Sequence, residues 1–166
     1  MLTSDLVLLL ASAVIFGACL GAAWTDVLRR RIPNRLILLL ALGAPLLVLG
    51  GHMPTGDFAG ALSLSLALFL LGSQLFARGW IGGGDVKLIC ALTLWFPPGQ
   101  GVWFVCLALM FGGVLALIVL GLQVAVRRDL IPVGATQRRL LLDTLSVPYG
   151  VSIGGAAAVQ FAIVWL

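Results

Sequence analysis

The stretch Val102-Trp103-Phe104-Val105-Cys106-Leu107-Ala108-Leu109-Met110-Phe111-Gly112-Gly113-Val114-Leu115-Ala116-Leu117-Ile118-Val119-Leu120-Gly121-Leu122-Gln123-Val124-Ala125-Val126 carries no charge, and Gln123 is its one amide side chain. At about 1.5 Å of rise per residue, a helix over this run exceeds the roughly 30 Å hydrocarbon core of a bilayer. The composition agrees. Of the 166 residues, 61% are hydrophobic and 10% charged, against about 45–50% and 25% in ordinary soluble domains. A conventional water-soluble domain is excluded, and the chain reads as a membrane protein. Outward from this run, five more apolar stretches follow: Leu6–Trp24, Leu36–Gly50, Phe58–Ala77, Val86–Phe96 and Val147–Leu166. Leu36–Gly50 is somewhat short for a span, and Val86–Phe96, at about 16 Å, is much too short alone. The other three and Val102–Val126 qualify outright. Turn chemistry at Gly50–Gly56 and Pro97–Gly101 separates the runs. The pattern predicts an all-α, polytopic bundle of six transmembrane helices, in one membrane-embedded domain over residues 1–166. Met1–Asp5 holds no Lys or Arg, so the first run reads as a helix of the mature protein and not as a signal peptide.

The ten basic residues fall in three segments. Arg29, Arg30, Arg31 and Arg35 follow the first run, Arg78 and Lys87 flank the third link, and Arg127, Arg128, Arg138 and Arg139 precede the last run. With six spans all three segments share one side, which the positive-inside rule makes cytoplasmic. Both termini are then extracytoplasmic. The positives serve topology at a lipid surface, and no nucleic-acid partner is expected. Cys19, Cys90 and Cys106 stand apart in apolar runs and read as membrane-buried fillers. The single histidine, His52, sits in an outer loop, which excludes Ser-His-Asp chemistry. No cluster of metal ligands is present, so neither metal nor cofactor is expected.

All six acids are aspartates. Asp5 and Asp57 precede apolar runs, where a carboxylate suits a helix N-terminus. Asp129 and Asp143 lie beside arginines in a solvated link. Asp26 and Asp85 are placed differently. Asp26 closes the first run on the face carrying Cys19, Ala22 and Ala23, whose small side chains leave space beside it. Asp85 ends the glycine run Gly82-Gly83-Gly84 ahead of the short fourth helix, which sets it at some depth. Ionisable groups at membrane depth are costly and mark functional sites. Taken singly, Asp26 could pair with Arg29–Arg31, and Asp85 could cap the fourth helix. Together, beside three glycines that permit positive φ and close approach of a peptide or second carboxylate, they read as a pair.

Asp26 with Arg31-Ile32-Pro33-Asn34, and Gly82-Gly83-Gly84-Asp85-Val86-Lys87, resemble the two signature motifs of the type IV prepilin leader peptidases. The second fits the G-x-G-D pattern that presenilin-like intramembrane aspartic proteases also carry. Val147-Pro148-Tyr149-Gly150 is similar to a further feature of the family. The resemblance covers nearly the whole chain in order and topology. It implies a membrane aspartic endopeptidase of a bacterial or archaeal cytoplasmic membrane, with Asp26 and Asp85 catalytic. Gly82, Gly83, Gly84, Lys87 and Asn34 would bind substrate or support the pair. The implied substrate is a single-span prepilin with a basic leader, cut at the cytoplasmic face. Larger members add a cysteine-tetrad domain and methylate the new N-terminus. This chain has no C-x-x-C, resembles the short branch serving Flp/Tad-type pili, and is not expected to transfer methyl groups.

The chemistry fits two carboxylates. One must be ionised to activate water and one protonated to donate to the carbonyl, and like charges held close cannot both ionise. Two other readings stand beside this one. Asp85 and Lys87 could mark an ion-coupled transporter, although no internal repeat supports it, or the chain could be a non-catalytic scaffold of a pilus or secretion machine. Lys87 either bonds to the pair or snorkels to the surface. Thr136–Leu145 reads as a short interfacial helix or a connector, and Tyr149 as an interfacial anchor.

Overall fold

Every regular element among the described residues is a helix, as apolar runs in a lipid-like environment require, because only internal backbone bonding satisfies N–H and C=O groups there. The computed structural model describes residues 2–128 and 149–166. The expectations for Asp129, Asp143, Arg138, Arg139, Thr136–Leu145 and Val147-Pro148 lie outside those residues. In chain order the helices are α1 (Leu2–Arg29), α2 (Asn34–Gly43), α3 (Pro45–Leu49), α4 (Thr55–Ala77), α5 (Gly83–Thr93), α6 (Pro98–Arg127) and α7 (Tyr149–Trp165). Three of them, within α1, α4 and α6, are long and apolar enough to cross a membrane. Asn34–Leu49 and Tyr149–Trp165 are shorter apolar helices, and α5 has 11 residues. Of the last run, the described residues form the 17-residue α7.

Two of the differences from the expected boundaries have clear physical causes. The first apolar run ends at Trp24, but α1 continues through Asp26 to Arg29. Its last turn is polar, and a basic residue there suits the negative end of the helix dipole. Leu36–Gly50 is not one rod. Pro45 lacks an N–H and its ring crowds the preceding turn. The chain therefore breaks into α2 and α3, with Leu47 N–H bonding the Ala44 carbonyl at 3.1 Å.

The helices close on a core whose largest fully buried side chains include Trp95, Phe96, Phe104 and Phe161. Trp95 fixes the end of α5. Its indole N–H donates to the Leu40 carbonyl of α2 at 3.0 Å, and its own carbonyl accepts the Trp165 N–H of α7 at 3.0 Å. Small residues let the helix backbones approach, as membrane packing favours. A Cβ added at Gly154 of α7 would lie 3.2 Å from the Cys19 carbonyl of α1. Between α4 and α5, one added at Gly72 would lie 2.5 Å from Val86 Cγ1.

The α4–α5 seam makes a test. Gly72→Ala overpacks it and is expected to cost about 1–3 kcal/mol, read as a lower Tm in detergent. Adding Val86→Ala opens the same space, so the double variant should be more stable than the two single changes predict by addition. Simple additivity would contradict the packing described.

Candidate active site

The polar end of α1 is shaped by what stops it. Arg30 N–H bonds the Asp26 carbonyl at 2.9 Å, and Arg30 then turns left-handed, with φ 51. Pro33, extended at φ −63 and ψ 133, starts α2. Between them Ile32 reaches across to the glycine run, with its Cβ 3.5 Å from where a Cβ on Gly84 would sit. The Arg31-Ile32-Pro33-Asn34 segment thus sets α1's end against the start of α5.

That start is built differently from the expectation of glycines at positive φ. Gly82 is extended at φ −68 and ψ 137, and Gly83 and Gly84 already belong to α5. Among the described glycines only Gly51 and Gly79 have positive φ. Gly79, at φ 74, closes α4 instead, its N–H bonding the Phe76 carbonyl at 2.8 Å. What the run requires is absence of side chain. A Cβ on Gly82 would stand 2.7 Å from Asp85 Oδ2, and one on Gly83 3.2 Å from the Phe76 ring. Asp85 is in the first turn of α5 and is not its cap, since Gly82 holds that position.

Asp26 and Asp85, both half-buried, line one cavity of about 330 Å³. Its wall also contains Gly82, Gly83, Gly84, Lys87 and Asn34, so the geometry brings together every residue that the sequence singles out as a site candidate. Arg30, Arg31 and Ile32 complete it. Burial, and then the charge of Asp26, push the Asp85 carboxyl from an ordinary 3.8 up to about 6. Among the described residues, no group of three His, Cys, Asp or Glu could hold a metal.

The residue that sequence reasoning underrates is Gly150. Its N–H, in the first turn of α7, donates to Asp26 Oδ2 at 2.7 Å. A Cβ at that position would come within 2.9 Å of both Asp26 Cβ and Oδ2. An N–H aimed at a carboxylate stabilises negative charge on it and fixes its rotamer. The Tyr-Gly pair opening the last run was the available signal, though it pointed to no contact. Tyr149, expected at the interface, packs its ring against Gly112 of α6.

A profile of the type IV leader peptidase family matches residues 13–117, from within α1 to within α6. The chain belongs to the type IV leader peptidase family. Both aspartates, Asn34, the glycine run and Lys87 fall inside the matched region, whereas Gly150 lies beyond it. No curated protein and no solved structure matches the chain. Membership makes it a peptidase of membrane character, in keeping with its apolar helices.

Two outcomes follow from this geometry. Gly150→Ala pushes the Asp26 carboxylate aside and is expected to lower peptidase activity about 10²-fold, the usual result of roughly 1 Å misplacement. Gly121→Ala, which meets nothing within 4 Å, should leave the rate unchanged. Cleavage assays with thermal melts as a folding control decide this. The second outcome concerns stability. Asp85 holds its proton more tightly in the folded protein, so its contribution is fully present below about pH 4 and is lost as pH rises through about 6. Asp85→Asn should therefore raise Tm above wild type at neutral pH, with the gap closing as pH falls. A variant no more stable than wild type at neutral pH would contradict it.

Proposed function

We propose that the protein is a membrane aspartic endopeptidase that removes the leader of Flp/Tad-type prepilins, with Asp26 and Asp85 as its catalytic pair. The observation that carries this reading is the shared cavity: two aspartates from distant parts of the chain line one space of about 330 Å³, with room for water and a peptide segment. Family membership supports peptide hydrolysis as the chemistry. Asp26, held by the Gly150 N–H, acts as the ionised partner and takes a proton from water as it attacks the scissile carbonyl. Asp85, whose carboxyl keeps its proton up to about pH 6, donates to the carbonyl oxygen. As the tetrahedral intermediate collapses, Asp26 passes the proton taken from water to the leaving amine, the C–N bond breaks, and one hydroxyl of the intermediate returns its proton to Asp85 as the carboxyl group forms.

The wider reading follows the charges. Six spans with both termini extracytoplasmic put the cavity at the cytoplasmic face of the cytoplasmic membrane. The substrate is a single-span protein whose helix lies against the bundle, cut just cytoplasmic of that helix. Gly82–Gly84 then offer a wall without side chains, which favours a small residue before the cut. Lys87 and Asn34 support the substrate from the same wall. No methyl group is added.

Co-expression with an Flp-type prepilin, read by intact mass, tests this. Wild type is expected to give one shortened product without the added mass of about 14 Da that methyl transfer would leave. Asp26→Asn and Asp85→Asn should each abolish the product while the protein remains folded and inserted, and the double variant should be no worse than either. Product from either single variant at more than a few per cent of wild type would overturn the pair. A wild type that moves ions or solutes in liposomes without cutting would favour a transporter.

A further inference from the structure

Just past their ends, α3 and α4 place Gly51 and Gly79 at φ 74, the left-handed value that closes many helices and that glycine adopts without strain. α1 closes otherwise. The residue past its end is Arg30, at φ 51, the one non-glycine with positive φ among the described residues. In that region an L side chain crowds the following carbonyl, so a turn toward Pro33 would by itself be better served by glycine. What the arginine adds is its side chain, and Arg30 lines the cavity that holds Asp26 and Asp85. Residues held in such sparsely populated conformations cluster at active sites and ligand clamps. Arg29, one residue earlier and helical, does not line the cavity.

We propose that Arg30 binds the substrate's main chain, its guanidinium donating to the carbonyl of the peptide bond just ahead of the scissile one, on the leader side. This rests on the reading that the aspartates cleave a leader in this cavity. A chain drawn out for cleavage brings N–H and C=O groups that lose water as it enters. Many peptide sites satisfy them by adding the chain to a sheet edge, but every regular element among the described residues is a helix. The carbonyls therefore need side-chain donors. Arg30 offers five N–H groups in a fixed fork and accepts nothing. It also keeps its proton at every working pH, so it can stand beside two carboxylates that trade one without joining the exchange. Its place selects the leader side, because it follows Asp26 past the end of α1, beyond the apolar body of that helix. Basic leader side chains are repelled there by Arg30, Arg31 and Lys87, which leaves the backbone as what the guanidinium meets. The grip is therefore indifferent to leader sequence.

Steady-state cleavage of an Flp-type prepilin by Arg30→Gly, with thermal melts alongside, tests this. Glycine relieves the turn, so Tm should not fall. KM should rise roughly tenfold or more, the loss of a hydrogen bond from a charged donor, with kcat little changed. Arg29→Ala should keep the wild-type KM. A wild-type KM in folded Arg30→Gly would overturn the proposal. A second measurement leaves the enzyme unaltered. In a semisynthetic prepilin an ester replaces the peptide bond just ahead of the scissile one, which makes that carbonyl a weaker acceptor. The ester should raise KM for wild type and change little for Arg30→Gly. A wild type that takes ester and amide with the same KM would overturn the proposal, even where Arg30→Gly does not fold. If wild type leaves the prepilin uncut, the peptidase reading fails together with this role; if it cuts but KM ignores both changes, the role of Arg30 alone fails.

Discussion

One backbone amide governs the geometry of the site. The Gly150 N–H meets Asp26 Oδ2 at 2.7 Å, and this contact exists only because α7 comes against α1 without an intervening side chain. Four residues further along α7, Gly154 repeats the close approach at the Cys19 carbonyl. The α1–α7 seam is therefore a run of small groups that ends on a carboxylate. Once that seam is set, the orientation of Asp26 is set with it. α5 then needs only to deliver Asp85 to the same space, and Trp95, bonded to α2 and α7, anchors its far end.

Each carboxylate faces a glycine. A Cβ at Gly82 or Gly150 would fall within 3 Å of an aspartate oxygen. On those two sides the carboxylates meet backbone without a side chain, while Arg30, Arg31, Ile32, Asn34 and Lys87 form the rest of the cavity wall. The arrangement stores unfavourable burial at Asp85, and the packing of α1, α5 and α7 offsets it.

Much of this was legible in the residues. Apolar runs locate the helices because lipid leaves the backbone no alternative, and the aspartates stand out because charge is so scarce. All seven residues chosen from the motifs line one cavity. What was not legible has physical reasons. Hydropathy cannot see the polar last turn of α1, because helix bonds continue past the last apolar residue. Three glycines in a row suggest backbone freedom, yet here they supply absence of bulk, a property of their neighbours that only packing shows. The Gly150 bond joins a backbone atom to a side chain 124 residues away and leaves no periodic trace. The break at Pro45 had a signal in its missing N–H, but the apolar run around it, Leu36–Gly50, reads as one span by hydropathy.

The 11 residues of α5 sit beside the 28 of α1 and the 30 of α6. Under the proposed six-span reading, a bilayer thick enough for its long neighbours is thicker than α5, and a short hydrophobic segment draws the acyl region inward at its end, here beside Asp85. Mismatch of this kind costs fractions of a kcal/mol per Å. On that reading, longer lipid chains press hydrocarbon over the carboxylate cavity and shorter ones leave it wetter.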